Sequence, residues 1–295
     1  MSKTEKDKTD KNRKPAATGI RIIGISSGKG GVGKTTVTSN LALALKSFGM
    51  RVTIVDCNIS TPHLSYYLGV DSYDKTLNDV LLGKSDARDA IYNYDGIRYV
   101  PASLELKDLL GLDLTKFKNI IRRFAEPGKT DFILLDSAPG LGKEAISVMH
   151  AADEIIFVTT PFVSSVNDVI RCSEVLKEFG NKKVSIVLNM ATGKKHELLP
   201  STVEEVTGLP VLGTIPFDAS VVHSLAFGSP VLSYRPDSRA STKFMQLAAN
   251  LAGADYKPPS RFDDVFTRIR SLVYNTGLQV QQGKAAAEEF IKRRQ

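Results

Sequence analysis

The chain of 295 residues has no tryptophan, only two cysteines, and nowhere an apolar run of the length that crosses a bilayer. Each absence removes a class of protein. A membrane-spanning helix needs about 18 or more consecutive apolar residues. Cys57 and Cys172 stand alone, outside any C-x-x-C, so one chain supplies neither a disulfide framework nor a cysteine-rich metal site. A reducing, cytoplasmic compartment is the expectation. His63, His150, His196 and His223 show no metal-ligand spacing either. Aromatics are sparse at 7%, but an apolar fraction of 42% is too high for a mainly disordered protein. The length provides one large domain or two small ones with a substantial core.

The middle of the chain also lacks charge of one sign. The formal net charge is +7, but residues 1–19 carry six basic and three acidic side chains, and residues 255–295 carry eight and five. Residues 20–254 hold 25 and 24 and are nearly neutral. The basic excess therefore belongs to two extensions, and any acidic surface is expected to meet those first.

Residues 1–19 have no aliphatic side chain larger than alanine beyond Met1, and no periodicity, so a disordered basic tail is expected. No apolar h-region follows, which argues against a signal peptide. From Ile20 the pattern changes to short apolar runs alternating with segments of helical period, the mark of β-α units on a parallel sheet. Strands are expected at 20–26, 52–56, 132–136, 154–159, 184–189 and 211–215. Each is nearly continuously apolar, as a strand covered on both faces should be. Helices are expected at 34–48, 114–124, 166–179 and 242–251, the first and third closed by Gly49 and Gly180. Asp95-Gly96 within 92–100 suggests a hairpin at the sheet edge. A Pro pair after Gly253 marks a boundary near Ala254. The fold expected is α/β: a doubly wound, mostly parallel sheet with helices on both faces over 20–254, plus a helical extension over 255–295.

One segment carries chemistry at once. Ser26 to Thr36 contains G-x-x-x-x-G-K-[ST] from Gly28 to Thr35, after an apolar strand and at the opening of a helix. In that setting Gly28, Gly30, Gly31 and Gly33 let successive backbone N–H groups, that of Val32 included, converge on phosphate oxygens, and the helix N-terminus adds its dipole. Lys34 would neutralise the β- and γ-phosphates, Thr35 would hold Mg2+, and Thr36 would reach the α-phosphate. A carboxylate for the metal or its waters should end a neighbouring apolar strand. Asp136 and Asp56 are so placed, and Ser137-Ala138-Pro139-Gly140 supplies a turn able to respond to a γ-phosphate.

Lys29, directly after the first glycine of Gly-Lys-Gly-Gly-Val-Gly-Lys-Thr-Thr, gives a loop that resembles the deviant Walker A of the MinD/ParA (SIMIBI-class) ATPases. Val-Asp-Cys-Asn-Ile-Ser-Thr-Pro-His-Leu at 55–64 resembles the family's first switch and Leu-Leu-Asp-Ser-Ala-Pro-Gly at 134–140 its second. Val-Thr-Thr-Pro at 158–161, Val-Leu-Asn at 187–189 and Gly-Thr-Ile-Pro-Phe-Asp at 213–218 match in kind and order, the archaeal MinD-like proteins being nearest. The resemblance implies a homodimer that sandwiches ATP, with Lys29 crossing to the partner's nucleotide as an arginine finger does. It implies adenine held by Asn189 and around Pro216, Phe217 and Asp218, Asp136 as the second-switch aspartate, and an activating protein partner not named by the sequence.

One departure bears on rate. Where relatives have Asp-x-Asp at the first switch, this chain has Asp56-Cys57-Asn58. Asn58 can orient water but cannot take its proton, so slow hydrolysis is expected. The C-x-x-C of iron-sulfur carriers of this fold is missing, and no iron-sulfur cluster is expected. Residues 261–273 place Phe262, Val265, Phe266, Ile269, Leu272 and Val273 within one arc of a helix, bordered by arginines. Two readings stay open: insertion at a membrane surface on the inner face of the cell membrane, or packing on protein. Residues 284–294 read as a solvated helix with basic residues at its end. The function expected is a MinD-type spatial or assembly switch. The alternatives are a ParA-type partition ATPase holding DNA, which is less favoured, and a non-hydrolysing scaffold.

Overall fold

The computed structural model describes residues 19–258 apart from residue 71. The tail 1–18 and the segments 261–273 and 284–294 lie outside the described residues. The compact unit containing the sheet extends to Tyr256.

Eight strands form one sheet: β1 (Arg21–Ser26), β2 (Val52–Cys57), β3 (Tyr92–Tyr94), β4 (Ile97–Val100), β5 (Phe132–Ser137), β6 (Glu154–Thr159), β7 (Lys183–Ala191) and β8 (Val211–Pro216), in the order β3-β4-β2-β5-β1-β6-β7-β8. All neighbours are parallel except β3 and β4. That exception is the 92–100 hairpin, whose turn places Asp95 at φ 41° and Gly96 at φ 74°, as a two-residue turn with both central residues left-handed requires.

Apolar runs read as strands because side chains on both faces are buried. Ile22, Ile133 and Leu135 enter one core, and Ile23, Ile25, Phe132 and Leu134 enter the other. Helices cover both faces: α1 (Lys34–Ser47), α2 (Leu64–Leu68), α3 (Leu77–Leu81), α4 (Phe117–Arg123), α5 (Lys143–Ala151), α6 (Val163–Lys177), α7 (Pro200–Thr207), α8 (Ala219–Ala226), α9 (Val231–Tyr234) and α10 (Arg239–Ala252). Met149 of α5 and Val169 of α6 join the first core, and Leu41 of α1 and Phe244 of α10 join the second. Each fully buried large apolar side chain contributes about 1.5–3 kcal/mol.

Several expected boundaries move. The segment 114–124 is a 3-10 turn at Leu114–Lys116 followed by α4, because Asp113 accepts from Thr115 N and tightens the entry. α6 starts at Val163, three residues earlier than the apolar period suggests, since Phe162 at its N-cap offers no capping side chain. α10 starts at Arg239, where Ser238 Oγ accepts from Ser241 N at 3.0 Å, and ends at Gly253 with φ 63°. The sequence reading contained none of α2, α3, α5, α7, α8 and α9. Most are too short to show a full apolar period.

Candidate functional site

The C-terminal ends of β1, β2 and β5 deliver the loop, the first switch and the second switch to one side of the sheet, where open parallel α/β sheets bind ligands. The loop between β1 and α1 is moulded by contacts that leave no room for a Cβ. A Cβ on Gly28 would lie 2.3 Å from Asp168 Cβ and 2.7 Å from the same residue's backbone carbon, so α6 abuts the loop. Gly33 has φ +90°, and a Cβ there would meet Asn189 Nδ2 at 2.3 Å. That amide donates to Val32 O at 2.8 Å, which ties the end of β7 to the loop.

Gly33 is also the N-cap of α1. It gives no side-chain cap, and the first turn carries no acidic residue. The helix thus opens with uncapped N–H groups and the positive end of its dipole, which is an anion site.

Beneath that helix start sit three buried ionisable groups. β2 and β5 are in register with Asp56 opposite Asp136, and Lys34 is only 9% exposed. Thr35 Oγ1 donates to Asp136 Oδ2 at 2.7 Å and Thr38 Oγ1 to Asp136 Oδ1 at 3.1 Å. Burial still pushes Asp136 up to about 6, against those donors and the Lys34 charge. Burial, then the Asp136 charge, raises Asp56 well above the carboxylate range. Burial lowers Lys34, and Asp136 opposes that. Two buried carboxyl groups side by side, with Lys34 opposing the upward shift at Asp136 alone, disfavour a second negative charge unless a cation binds. Asp136 and the Thr35 hydroxyl bonded to it are oxygen donors suited to Mg2+, which keeps several waters and takes phosphate oxygens as further ligands. The residues therefore fit Mg2+ held jointly with nucleotide phosphates.

A cavity of about 370 Å³ extends from Gly30, Gly33, Lys34, Thr35 and Thr36 to Asn189, Pro216, Phe217 and Asp218, with Asn58 on its wall. It brings the expected phosphate and adenine residues together. Among the described residues nothing bonds Asn189 Oδ1, which is left for a donor such as the adenine amine. Asp218 also acts as a cap: its Oδ1 accepts from Ser220 N at 2.9 Å at the start of α8, and its Oδ2 accepts from Ala240 N at 3.2 Å. Five expected residues stand off the cavity. Gly28 lies behind the loop, Val32 is buried, Lys29 is exposed on the loop's outer side, and Asp136 lies under Thr35. Asp56, expected at the metal, is fully buried and spends its oxygens on the first switch: Oδ1 accepts from Asn58 N and Oδ2 from Leu64 N, both at 3.1 Å. It pins the loop and does not line the cavity.

The first switch is held by its own side chains. Asn58 Nδ2 donates to Thr61 O at 2.5 Å and Thr61 Oγ1 donates to Asn58 Oδ1 at 3.1 Å. Ser60 donates through its N (3.1 Å) and its Oγ to Glu144 Oε1 at the start of α5, just past the second switch. The second switch is tied to the loop by Gly140 N donating to Ser27 O at 2.9 Å. Sequence reasoning missed Thr38, Glu144, His63 and Tyr67. The last two line the cavity. Thr38 had a local signal, one turn beyond Thr35 on α1; no pattern marks the others.

Phosphate loop, uncapped helix start, paired strand-end carboxylates and base cavity together define a P-loop nucleoside triphosphatase fold. Comparison with known proteins narrows the class. The family described as "ParA: NUBPL iron-transfer P-loop NTPase" matches residues 20–252. An uncharacterized ATP-binding protein of Methanocaldococcus jannaschii is 34% identical over 236 residues, covering 80% of this chain and 89% of that one. The septum site-determining protein MinD of Pyrococcus horikoshii, solved in complex with Mg-ADP, is 35% identical with a TM-score of 0.74, covering 79% of this chain and 96% of that one. MinD in the MinC:MinD cell division complex of Aquifex aeolicus is 26% identical with a TM-score of 0.72, covering 82% and 99%. The chain belongs to the ParA/MinD family of P-loop NTPases, and ATP and Mg2+ are the cofactors expected of that family. The family description mentions iron transfer. In this chain Cys57 and Cys172 are both buried, on β2 and α6.

Proposed function

We propose that the chain is a Mg-ATP-dependent, dimerising ATPase that serves as a spatial-positioning or assembly switch of the MinD type. The observation that carries this reading is the division between the loop's two lysines. Lys34 is buried beside Asp136, whereas Lys29 is exposed and has no ion-pair partner among the described residues. Lys29 does not line the cavity that Lys34 lines. It suits a nucleotide in a facing subunit, where positive charge stabilises the developing negative charge of phosphoryl transfer. When bound, Mg2+ would supply positive charge against the phosphates. Thr35 and Asp136 would hold the ion, Lys34 would meet the phosphates, and Asn58 would position water.

Slow hydrolysis follows from Asn58. Both ends of its amide are engaged by Thr61, so orienting water costs those bonds, and no carboxylate stands there to accept the proton. The same lock favours, as a second reading, a scaffold that binds ATP without hydrolysing it. An activating protein would rearrange this loop. The complex of the related MinD with MinC supports a protein partner. A cytoplasmic protein attached to the inner membrane face through 261–273 completes the reading.

Light scattering with ATP or ADP tests dimerisation. A dimer with ATP that Lys29→Ala abolishes, with ATP still bound, is the expected result; a monomer with bound ATP sinks the proposal. Phosphate release below about 1 per second is expected without a partner. Acceleration by Asn58→Asp supports the switch, while no release from either protein leaves the scaffold. Cosedimentation of the full chain with anionic liposomes or with DNA, each with ATP or ADP, decides between surfaces.

A further inference from the structure

The sheet ends differently on its two sides. β3 closes one edge with three residues, whereas β8 forms the other with six and has no strand beyond it among the described residues. We propose that the free edge of β8 accepts an extended acidic segment of a partner protein as an added strand, with Lys194, Arg239 and Lys243 reading its carboxylates.

The edge is open along most of its length. At its start Val211 N donates to Glu204 Oε1 at 2.7 Å, which closes the first position. From Leu212 to Ile215 the backbone groups turned away from β7 meet no further strand among the described residues. Native edges are usually guarded by lysine, proline or an inward charge. Residues 211–215 contain none of these, and Pro216 is the last residue of the strand. All but one of the β8 residues are partly exposed, in contrast to the fully buried β5.

A groove runs beside this edge. A cavity of about 940 Å³ lies between Leu212–Thr214 and the helix face bearing Arg239, Lys243 and Leu247, and Lys194 closes its upper end. An added strand of six residues is about 20 Å long, the length of β8 itself. Three cations and no carboxylate line this cavity. The nearest acids are already engaged: Glu197 accepts from Thr192 N and Gly193 N, and Asp218 accepts from Ser220 N and Ala240 N. A phosphate backbone would use the cations but not the unpaired amides or the apolar floor of Leu212 and Leu247. A peptide uses all three, with main-chain bonds for affinity and alternate side chains for specificity.

The test is a titration of the 15N-labelled full chain with a capped hexapeptide of alternating Glu and Val. Its Lys-Val counterpart, a copy N-methylated at alternate backbone nitrogens, and a short DNA duplex serve as the other probes. Saturable shifts centred on the amides of residues 212–215 are expected with the acidic peptide alone. K194E/K243E should weaken it about tenfold or more while ATP affinity is unchanged. Equal binding of the N-methylated peptide would reduce the site to a charged patch and overturn strand addition. So would binding of the DNA in preference to the peptide, shifts elsewhere, or protection from hydrogen exchange, in the peptide-free chain, of those 212–215 amides that point away from β7.

Discussion

The phosphate loop and the first switch face the same cavity but are held in opposite ways. Loop 28–36 is fixed by backbone shape and by elements distant in sequence: α6 fills the space a Cβ on Gly28 would need, and Asn189 does so at Gly33. Loop 58–63 is anchored at its two ends by buried Asp56 and held between them by hydrogen bonds near the surface, Asn58 with Thr61 and Ser60 with Glu144. The first arrangement cannot change without disturbing the core. The second changes at little cost, because each exposed bond is exchangeable with water. A nucleotide-dependent device needs both: a mould that stays the same and a latch that does not.

The hardest test of the mould is Gly33→Ala. A left-handed φ costs a non-glycine residue about 1–2 kcal/mol, and the clash with Asn189 adds to it. Loss of ADP affinity by about 100-fold or more is expected in calorimetry. Near-native binding would mean that the loop is as adaptable as the switch. Next comes Asp136→Asn, with two effects of opposite sign. Removing a buried charge opposite Asp56 should raise the melting temperature of the nucleotide-free protein, while Mg2+-dependent nucleotide binding falls about tenfold.

The same carboxylate sets a pH dependence. Its folded-state value, about 6, lies above the ordinary 3.8, so between these the native state binds more protons than the unfolded one. Stability of the nucleotide-free protein should therefore fall as pH rises from about 4 through about 6. Mg-ADP affinity should move the other way, weakening as the pH drops below about 6 and Asp136 takes up a proton. Denaturant titrations and calorimetry across that range check both slopes, and parallel slopes would contradict the charge balance described. The smallest effect is expected at the latch. Glu144→Gln should alter stability by no more than about 0.5 kcal/mol, as for other exposed polar changes, yet alter the rate of phosphate release measurably. Destabilisation beyond about 1.5 kcal/mol would place Glu144 in the mould.

What the sequence made legible follows the same division. The strands could be read because burial on both faces writes itself as continuous apolar runs, and the phosphate loop because its glycines are spaced by the ligand's own geometry. Asn189 and Asp218 were legible only through the resemblance to the MinD/ParA family, and the capping of α8 by Asp218 was not foreseen. Asp56 looks in sequence like a metal residue, but its oxygens are taken by Asn58 N and Leu64 N. Ser60 and Glu144 stand 84 positions apart, and neither residue type signals the other. Short helices such as α2 depend on tertiary packing, which leaves no periodic trace in five residues.

The rung shared by Asp56 and Asp136 has a consequence for how this chain can change in length. Because side chains alternate faces along a strand, inserting or deleting one residue between Phe132 and Asp136 would rotate the carboxylate to the far side of the sheet and strand Thr35 without its partner. The same event at Gly83 or Gly111, where a Cβ meets nothing, would only lengthen a surface turn. The sheet thus keeps a reading frame of its own. Among descendants of this sequence, gaps should collect in the connections at 83–90 and 102–116 and be missing from the five positions that lead to Asp136.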